Sequence, residues 1–245
     1  MPDLDFSGKR VLVVGGSSGI GNGIAHAFLA RGADVHVWGT RARAEDYDAA
    51  DGSDLSGLHY RQVNVADIDS VESLSPDFES LDILVQCQGT VRYKREEFAR
   101  PGWDAVMDVN INSVMATAMK FHPQLKRANG AMIIVSSVAG FGSTVGNPAY
   151  AASKHAAVGL TKTLGAAWAT DGIRVNGIAP GLVDTKLTKV TTANPKRLEA
   201  SLRSIPQGRM GTPGDMAGVA IFLASPLAAY VTGQTIIVDG GLTLR

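Results

Sequence analysis

The sequence predicts an α/β protein: a doubly wound, seven-stranded parallel sheet with helices on both faces, in one domain. Three observations predict it. Short β-branched runs alternate with longer helical segments along the chain. The runs are apolar on both faces, as a strand covered by helices on each side must be. A glycine-rich loop joins the first run to the first helix. No Pro/Gly/Ser-rich linker divides the chain, so residues 1–245 are read as a single unit.

The first strand is Arg10–Val14 (RVLVV). Glycines at 15–21 end it, and a helix follows to about Arg31. Residues 34–38 (DVHVW) form the second strand, and 41–56, polar and Asp/Ala-rich, read as a broken helix. A third strand at 60–65 and a short helix at 67–74 come next, then a fourth strand at 83–86. Residues 103–124 read as one long helix, 131–136 (AMIIVS) as the fifth strand and 149–170 as a second long, Ala-rich helix. A strand at 174–178, a polar stretch at 186–211, a helix at 214–224 and a strand at 234–238 complete the pattern. Right-handed crossovers wind such units to both sides of the first strand, with a ligand crevice at the carboxyl ends of the strands.

Charge and composition exclude several classes. The 23 Lys plus Arg balance 23 Asp plus Glu, which argues against a nucleic-acid binder and against electrostatic binding to an anionic membrane. Cys87 is the only cysteine, so no intrachain disulfide or thiolate zinc cluster can form. His122 and His155 have no metal partners at useful spacing. Residues 1–5 are acidic and unlike a secretory signal. The two long charge-free runs, 128–153 and 216–238, are broken by Gly, Ser, Asn, Thr or Pro and do not read as membrane spans. The expectation is a cytoplasmic chain.

Glycines after a strand let the backbone approach an anion closely, and the following helix N-terminus attracts it. Val14-Gly15-Gly16-Ser17-Ser18-Gly19-Ile20-Gly21 has the spacing G-x-x-x-G-x-G, with no Walker Gly-Lys-Ser/Thr. The second strand ends in Gly39-Thr40-Arg41 with no acid to receive ribose hydroxyls. Thr40 and Arg41 suit a 2′-phosphate instead, which favours NADP(H) over NAD(H). Tyr150 and Lys154 stand at i and i+4, on one helix face. A phenol has a reference pKa of about 10, and a neighbouring ammonium lowers it toward the range of a working acid and base. Ser136 and Ser137, at the end of the fifth strand, can present a hydroxyl beside it.

The glycine loop, the strand end I-V-S-S-V-A-G, Y-A-A-S-K, N-G-I-A-P-G-L-V-D-T (176–185) and the V-D-G-G near the C-terminus occur in this order. Together they resemble the short-chain dehydrogenase/reductase family, over residues 8–241. The resemblance implies a single-domain Rossmann fold. It implies hydride transfer between nicotinamide C4 and a ketone or secondary alcohol, by a carbonyl reductase of the 3-oxoacyl reductase type. By position, Tyr150 is the general acid/base and Lys154 the group that lowers its pKa and holds the nicotinamide ribose. Ser137 orients the substrate oxygen, with Ser136 as fallback, and Asn110 holds a water joining Lys154 to solvent. Gly15, Ser17, Ser18, Ile20 and Gly21 match the pyrophosphate loop, Asn64 and Val65 the adenine contacts, and Gly89 the adenosine-ribose wall. Pro180, Gly181, Val183 and Thr185 match the segment that grips the nicotinamide carboxamide.

Val14 stands where the family usually has Thr, Gln86-Cys87-Gln88-Gly89 where it reads Asn-Asn-Ala-Gly, and Ser18 where NADP users often carry a basic residue. Cys87 reads as a small buried filler. Enoyl reductases space Tyr and Lys more widely, so the spacing here favours carbonyl reduction. Substrate contacts are expected from 90–94, 140–147, Leu182 and 186–211, the last a closing lid. The 91–98 stretch resembles that of sugar-acid dehydrogenases, with Arg92 placed for a carboxylate, which makes a gluconate-type dehydrogenase the alternative. A non-catalytic dinucleotide sensor on the same fold is the alternative of another class, and Gln86–Gly89 is its only support. The long helices resemble those that pair subunits in family homotetramers, with Ala156, Ala157, Gly159, Ala166 and Ala167 allowing close packing.

Overall fold

The computed structural model of the chain describes residues 2–76 and 78–244. Seven strands lie in one wholly parallel sheet: β1 Arg10–Val14, β2 Asp34–Gly39, β3 His59–Gln62, β4 Ile83–Gln86, β5 Ala131–Val135, β6 Arg174–Pro180 and β7 Thr235–Val238. Their order, β3-β2-β1-β4-β5-β6-β7, runs outward from β1 in both directions. The direction reverses between β1 and β4, and a crevice opens there at the carboxyl ends of the strands. The expected fold class stands.

Alternation along β1 explains the two layers. Leu12 and Val14 point into a core with Val71, Phe121, Leu125 and Leu164. Val11 and Val13 point the other way, against Ile24, Phe28, Met216 and Ile221. The helices on the first face are α2 Ile68–Ser73, α4 Ser113–Ala128 and α5 Pro148–Ala167. On the second they are α1 Gly19–Leu29 and α8 Pro213–Ala224. Thr212 and Asp215 form a capping box at α8, with Pro213 pre-set in its first turn.

Four segments differ from the sequence reading. The third strand stops at Gln62, because the Asn64 side chain accepts from Ala66 N–H and its carbonyl from Asp67 N–H, turning the chain away. The helix expected at 103–124 begins earlier, as α3 Arg100–Met107, and opens into a wide π-turn over Asp108–Asn112 before α4. Residues 44–46 and 49–51 are single 3-10 turns rather than a helix. The polar 186–211 stretch holds two helices, α6 Lys189–Thr192 and α7 Pro195–Ser204. A bridge between Val183 and Gly211 ties its two ends together. On α5, Ala156, Gly159, Ala166 and Ala167 are exposed, whereas Ala157 is buried in the core and is not part of that outer stripe.

Candidate active site

The loops after β1, β2, β4, β5 and β6 converge on a cleft of about 620 Å³. At its floor the chain turns sharply after Val14. Gly15 adopts φ +76°, and a Cβ there would lie 2.8 Å from the Gln88 nitrogen. A Cβ on Gly21 would lie 2.3 Å from the Gly15 carbonyl oxygen. Only glycine fits these two positions, and the loop folds tightly against α1. Ser18 caps α1 in extended conformation without a side-chain bond to the first turn. The positive end of α1 therefore faces the cleft uncapped by any side chain, the setting a pyrophosphate fits.

Of the expected cofactor contacts, Gly15, Ser17, Ser18, Ile20, Gly21, Thr40, Asn64, Val65, Gly89, Pro180, Gly181, Val183 and Thr185 line the cleft. Arg41 does not. Its guanidinium lies 4.7 Å over the Tyr47 ring and donates to the Asp46 carbonyl. The Tyr47 hydroxyl in turn accepts the N–H groups of Thr40 (3.0 Å) and Arg41 (3.1 Å). A guanidinium on an exposed loop settles on the nearest π face, a preference that strand-end spacing does not reveal.

The chemical residues meet at the opposite wall. Ser137, Tyr150 and Lys154 all line the cleft, and the Ser137 hydroxyl is near enough to the Tyr150 phenol to lower its pKa. Ser136 is committed elsewhere, since its hydroxyl donates to the Lys154 carbonyl at 2.8 Å and anchors α5 to β5. The Lys154 ammonium donates to the Val135 carbonyl at 3.0 Å and lies 5.7 Å from the centre of the Tyr150 ring. Burial lowers the Lys154 pKa to about 8. The phenol departs from expectation. Burial raises the Tyr150 pKa, the Ser137 hydrogen bond lowers it, and Tyr93 and Glu97 raise it. The ammonium addresses the ring face and a carbonyl, so its pull on the phenol oxygen is not what dominates here.

Asn110 does not line the cleft. It sits buried in the π-turn behind it, where its side chain accepts Thr90 N–H (2.7 Å) and donates to the Thr90 carbonyl (2.9 Å) and the Ser153 hydroxyl (3.1 Å). Gln86 and Gln88 form a buried hydrogen-bonded set in which Gln88 Oε1 is left without a partner. Thr117 Oγ1 donates to Gln86 Oε1 at 2.8 Å, as does Gln88 Nε2 at 2.9 Å, and Gln88 Nε2 also reaches Ser113 at 3.1 Å. The side-chain bonds of this substitution for the family's usual residues run inward to α4, while Cys87 and Gln88 still line the cleft. Burial pushes the Cys87 thiol pKa up to about 12, which disfavours the thiolate at neutral pH.

Of the expected substrate contacts, Thr90, Arg92, Lys186, Leu187 and Thr188 line the cleft, while 140–147 and Leu182 do not. Two residues of the 91–98 stretch take roles that the sequence does not assign them. Tyr93 donates to the Leu187 carbonyl at 2.9 Å, joining the loop after β4 to the 186–211 segment. Glu97, inside a charged run, is 1% exposed and accepts the Tyr150 N–H at 2.9 Å. Its burial follows from the fold and leaves no mark in composition.

A dinucleotide-shaped cleft with a Ser–Tyr–Lys wall defines a nicotinamide-dependent oxidoreductase. The comparisons agree with that class. A family model described as enoyl-(acyl carrier protein) reductase matches residues 14–243. The 3-oxoacyl-[acyl-carrier-protein] reductase of Chlamydia pneumoniae is 38% identical, covering 98% of this chain and 99% of its own. The 2-dehydro-3-deoxy-D-gluconate 5-dehydrogenase of Bacillus subtilis (strain 168) is also 38% identical, over 99% of this chain and 97% of its own. The crystal structure of a gluconate 5-dehydrogenase from Burkholderia cenocepacia J2315, in complex with NADP and tartrate, is 30% identical, with a TM-score of 0.88 over 99% of this chain and 98% of that one. The chain belongs to the short-chain dehydrogenase/reductase family and is an NAD(P)-dependent oxidoreductase acting on CH–OH groups.

Proposed function

We propose that the protein interconverts a ketone and a secondary alcohol on a small molecule, with NADP(H) favoured over NAD(H). The observation that carries this is Ser137, Tyr150 and Lys154 meeting on one wall of the cleft. The 15–21 loop and the α1 N-terminus hold the pyrophosphate, Asn64 and Val65 the adenine, and Pro180, Gly181, Val183 and Thr185 the carboxamide. When bound, the cofactor supplies or accepts hydride at nicotinamide C4. Ser137 orients the substrate oxygen. Tyr150 gives that oxygen a proton in reduction and takes one from it in oxidation. Lys154 holds the ribose and keeps positive charge near the phenol. Asn110 supports the site from behind by fixing Thr90. NADP(H) is preferred because Thr40 lines the cleft, no acid stands at the end of β2, and the Burkholderia relative holds NADP.

The test is Tyr150→Phe, assayed by nicotinamide absorbance with a panel of ketones, keto-acyl thioesters and sugar keto-acids. Turnover falls about 10²- to 10⁴-fold while NADPH still binds. Retained turnover rejects the mechanism.

A sugar-acid substrate is the second reading, supported by Arg92 in the cleft wall and by the gluconate-type relatives. A guanidinium there would pair with a substrate carboxylate. The 186–211 segment serves as a lid, its base closed by the Val183–Gly211 bridge. The exposed stripe of Ala156, Gly159, Ala166 and Ala167, with Met115 and Met119 exposed on α4, supports a homotetramer, and a monomeric mass by light scattering would reject it. Among the described residues no helix is long and apolar enough to cross a membrane. The lone cysteine suits a reducing compartment and supports a cytoplasmic location.

A further inference from the structure

The loop between β4 and α3 carries Arg92 and Tyr93 into the cleft region, and its backbone is strained. Lys94 and Arg95 both adopt left-handed conformations, with φ of 56° and 63°, which non-glycine residues rarely take. Two such residues in succession persist only where the surroundings over-determine them, and such strain gathers at working sites. What holds this loop is Glu97. Its carboxylate, 1% exposed, has both oxygens engaged. Oε1 accepts Arg92 N–H at 2.9 Å and Asn147 Nδ2–H at 3.3 Å, and Oε2 accepts Tyr150 N–H at 2.9 Å. Asn147 completes the bracket by donating to the Arg92 carbonyl at 2.9 Å. Arg92 is thus held at both its N–H and its C=O. The first turn of α5 receives a carboxylate, the charge a helix N-terminus favours.

We propose that Glu97 is a positioning residue for the reaction: through one buried carboxylate it fixes the backbone of Tyr150 and the root of Arg92 relative to each other, setting the proton donor against the substrate-binding loop. This rests on the reading of Tyr150 as the acid and base. A residue needed only to cap α5 would not also grip the substrate loop, and one needed only to shape the loop would not bond the tyrosine. Glu97 has an electrostatic role as well. The ionisable groups around the Tyr150 phenol are Lys154 on the same helix, Glu97 and Tyr93 from the loop, Arg92 in the cleft wall, and Cys87 near Lys154. Of these, Glu97 contributes negative charge that raises the phenol's pKa.

Glu97→Gln keeps the shape, removes the charge and turns one acceptor into a donor facing an N–H. Four measurements on the full chain test the proposal: thermal unfolding, NADPH binding by fluorescence, kcat and KM, and the pH titration of tyrosinate absorbance, with Tyr150→Phe subtracted to isolate Tyr150. Expected are a folded variant with unchanged NADPH affinity, a kcat lowered about 10- to 100-fold, and a Tyr150 titration moved to lower pH. Glu97→Asp, which restores charge but not reach, recovers the titration more than the kcat. A folded Glu97→Gln protein with wild-type kcat and wild-type titration overturns the proposal. Should that variant not fold, Asn147→Ala decides, because it releases the Arg92 carbonyl and spares the Glu97–Tyr150 bond. An increase in KM for keto-acids over neutral ketones supports the proposal, and an unchanged ratio overturns it. The titration needs no substrate, so it stands apart from the Tyr150→Phe assay. If that assay shows full turnover, the assignment of Tyr150 fails, and the Glu97 result still reads its charge and geometry.

Discussion

Burying an amine disfavours its charged form, and Lys154, 4% exposed, has its pKa lowered from 10.5 to about 8. The sign of the linkage follows. Between those two values the unfolded chain binds more protons at this position than the folded one, so stability rises with pH across that window. Below pH 8 the full penalty is present. Lys154→Met removes this dependence, so the stability of the wild type relative to the variant increases between pH 8 and pH 10, by about 2 kcal/mol. Urea unfolding of both proteins at the two pH values measures it, and a pH-independent difference contradicts the assignment. The i, i+4 spacing of Tyr150 and Lys154 was legible in sequence because helix geometry alone puts them on one face. The direction of the phenol's shift was not. Spacing says that an ammonium is near, but burial and the Val135 carbonyl decide where it points, and both come from segments distant in sequence.

Asn110 belongs to the scale of the element, because it works through the π-turn that carries it. Across Asp108–Asn112 the helix widens until Ser113 N–H reaches back to Asp108 C=O, five residues away. Such single wide turns recur at functional sites because they re-aim a side chain without ending the helix. Here the turn carries Asn110 to Thr90, where it replaces the partners that a strand or helix would have given that backbone. Asn110→Ala leaves Thr90 N–H, Thr90 C=O and the Ser153 hydroxyl short of a partner. The expected cost is about 1–3 kcal/mol for each group left unsatisfied, seen in chemical denaturation together with a fall in turnover. Equal stability and turnover in that variant would remove Asn110 from the site. The two-sided apolar strands were readable because every residue repeats the same constraint, and the glycine loop because no other residue fits Gly15 and Gly21. The π-turn was not, since nothing in Asp-Val-Asn-Ile-Asn demands it: the pull comes from Thr90 and Ser153. The helices within 186–211 were hidden in the same way, a polar sequence with no buried residue on α6 or α7 to set a period.

At the scale of the whole molecule, segments far apart in sequence bracket one cleft. The glycine loop forms its floor, and Lys186, Leu187 and Thr188 of the 186–211 segment line it from the other side. That segment is pinned on one side by Tyr93 to Leu187, and on the other by Lys186 to the Ser53 hydroxyl at 3.1 Å. Lys186 and Lys189 also stand 3.7 and 3.5 Å from Asp51. These partly exposed ion pairs are weak individually, each worth at most about 1 kcal/mol. A ligand that fills the cleft binds the folded chain and not the unfolded one, and its binding energy therefore appears as stability. At a concentration 100 times its dissociation constant the gain is about 2.7 kcal/mol, and for a chain of this size each kcal/mol moves the melting temperature by roughly 2–4 °C. NADPH should then raise the melting temperature by about 5–11 °C when near-saturating. NADH at the same concentration should raise it less, because it cannot engage Thr40 and the loop after β2 through a 2′-phosphate. Differential scanning fluorimetry with the two cofactors at matched concentrations reads the difference directly. An equal or larger shift with NADH would place the preference elsewhere, in keeping with an Arg41 that stays on Tyr47 when the cleft is filled.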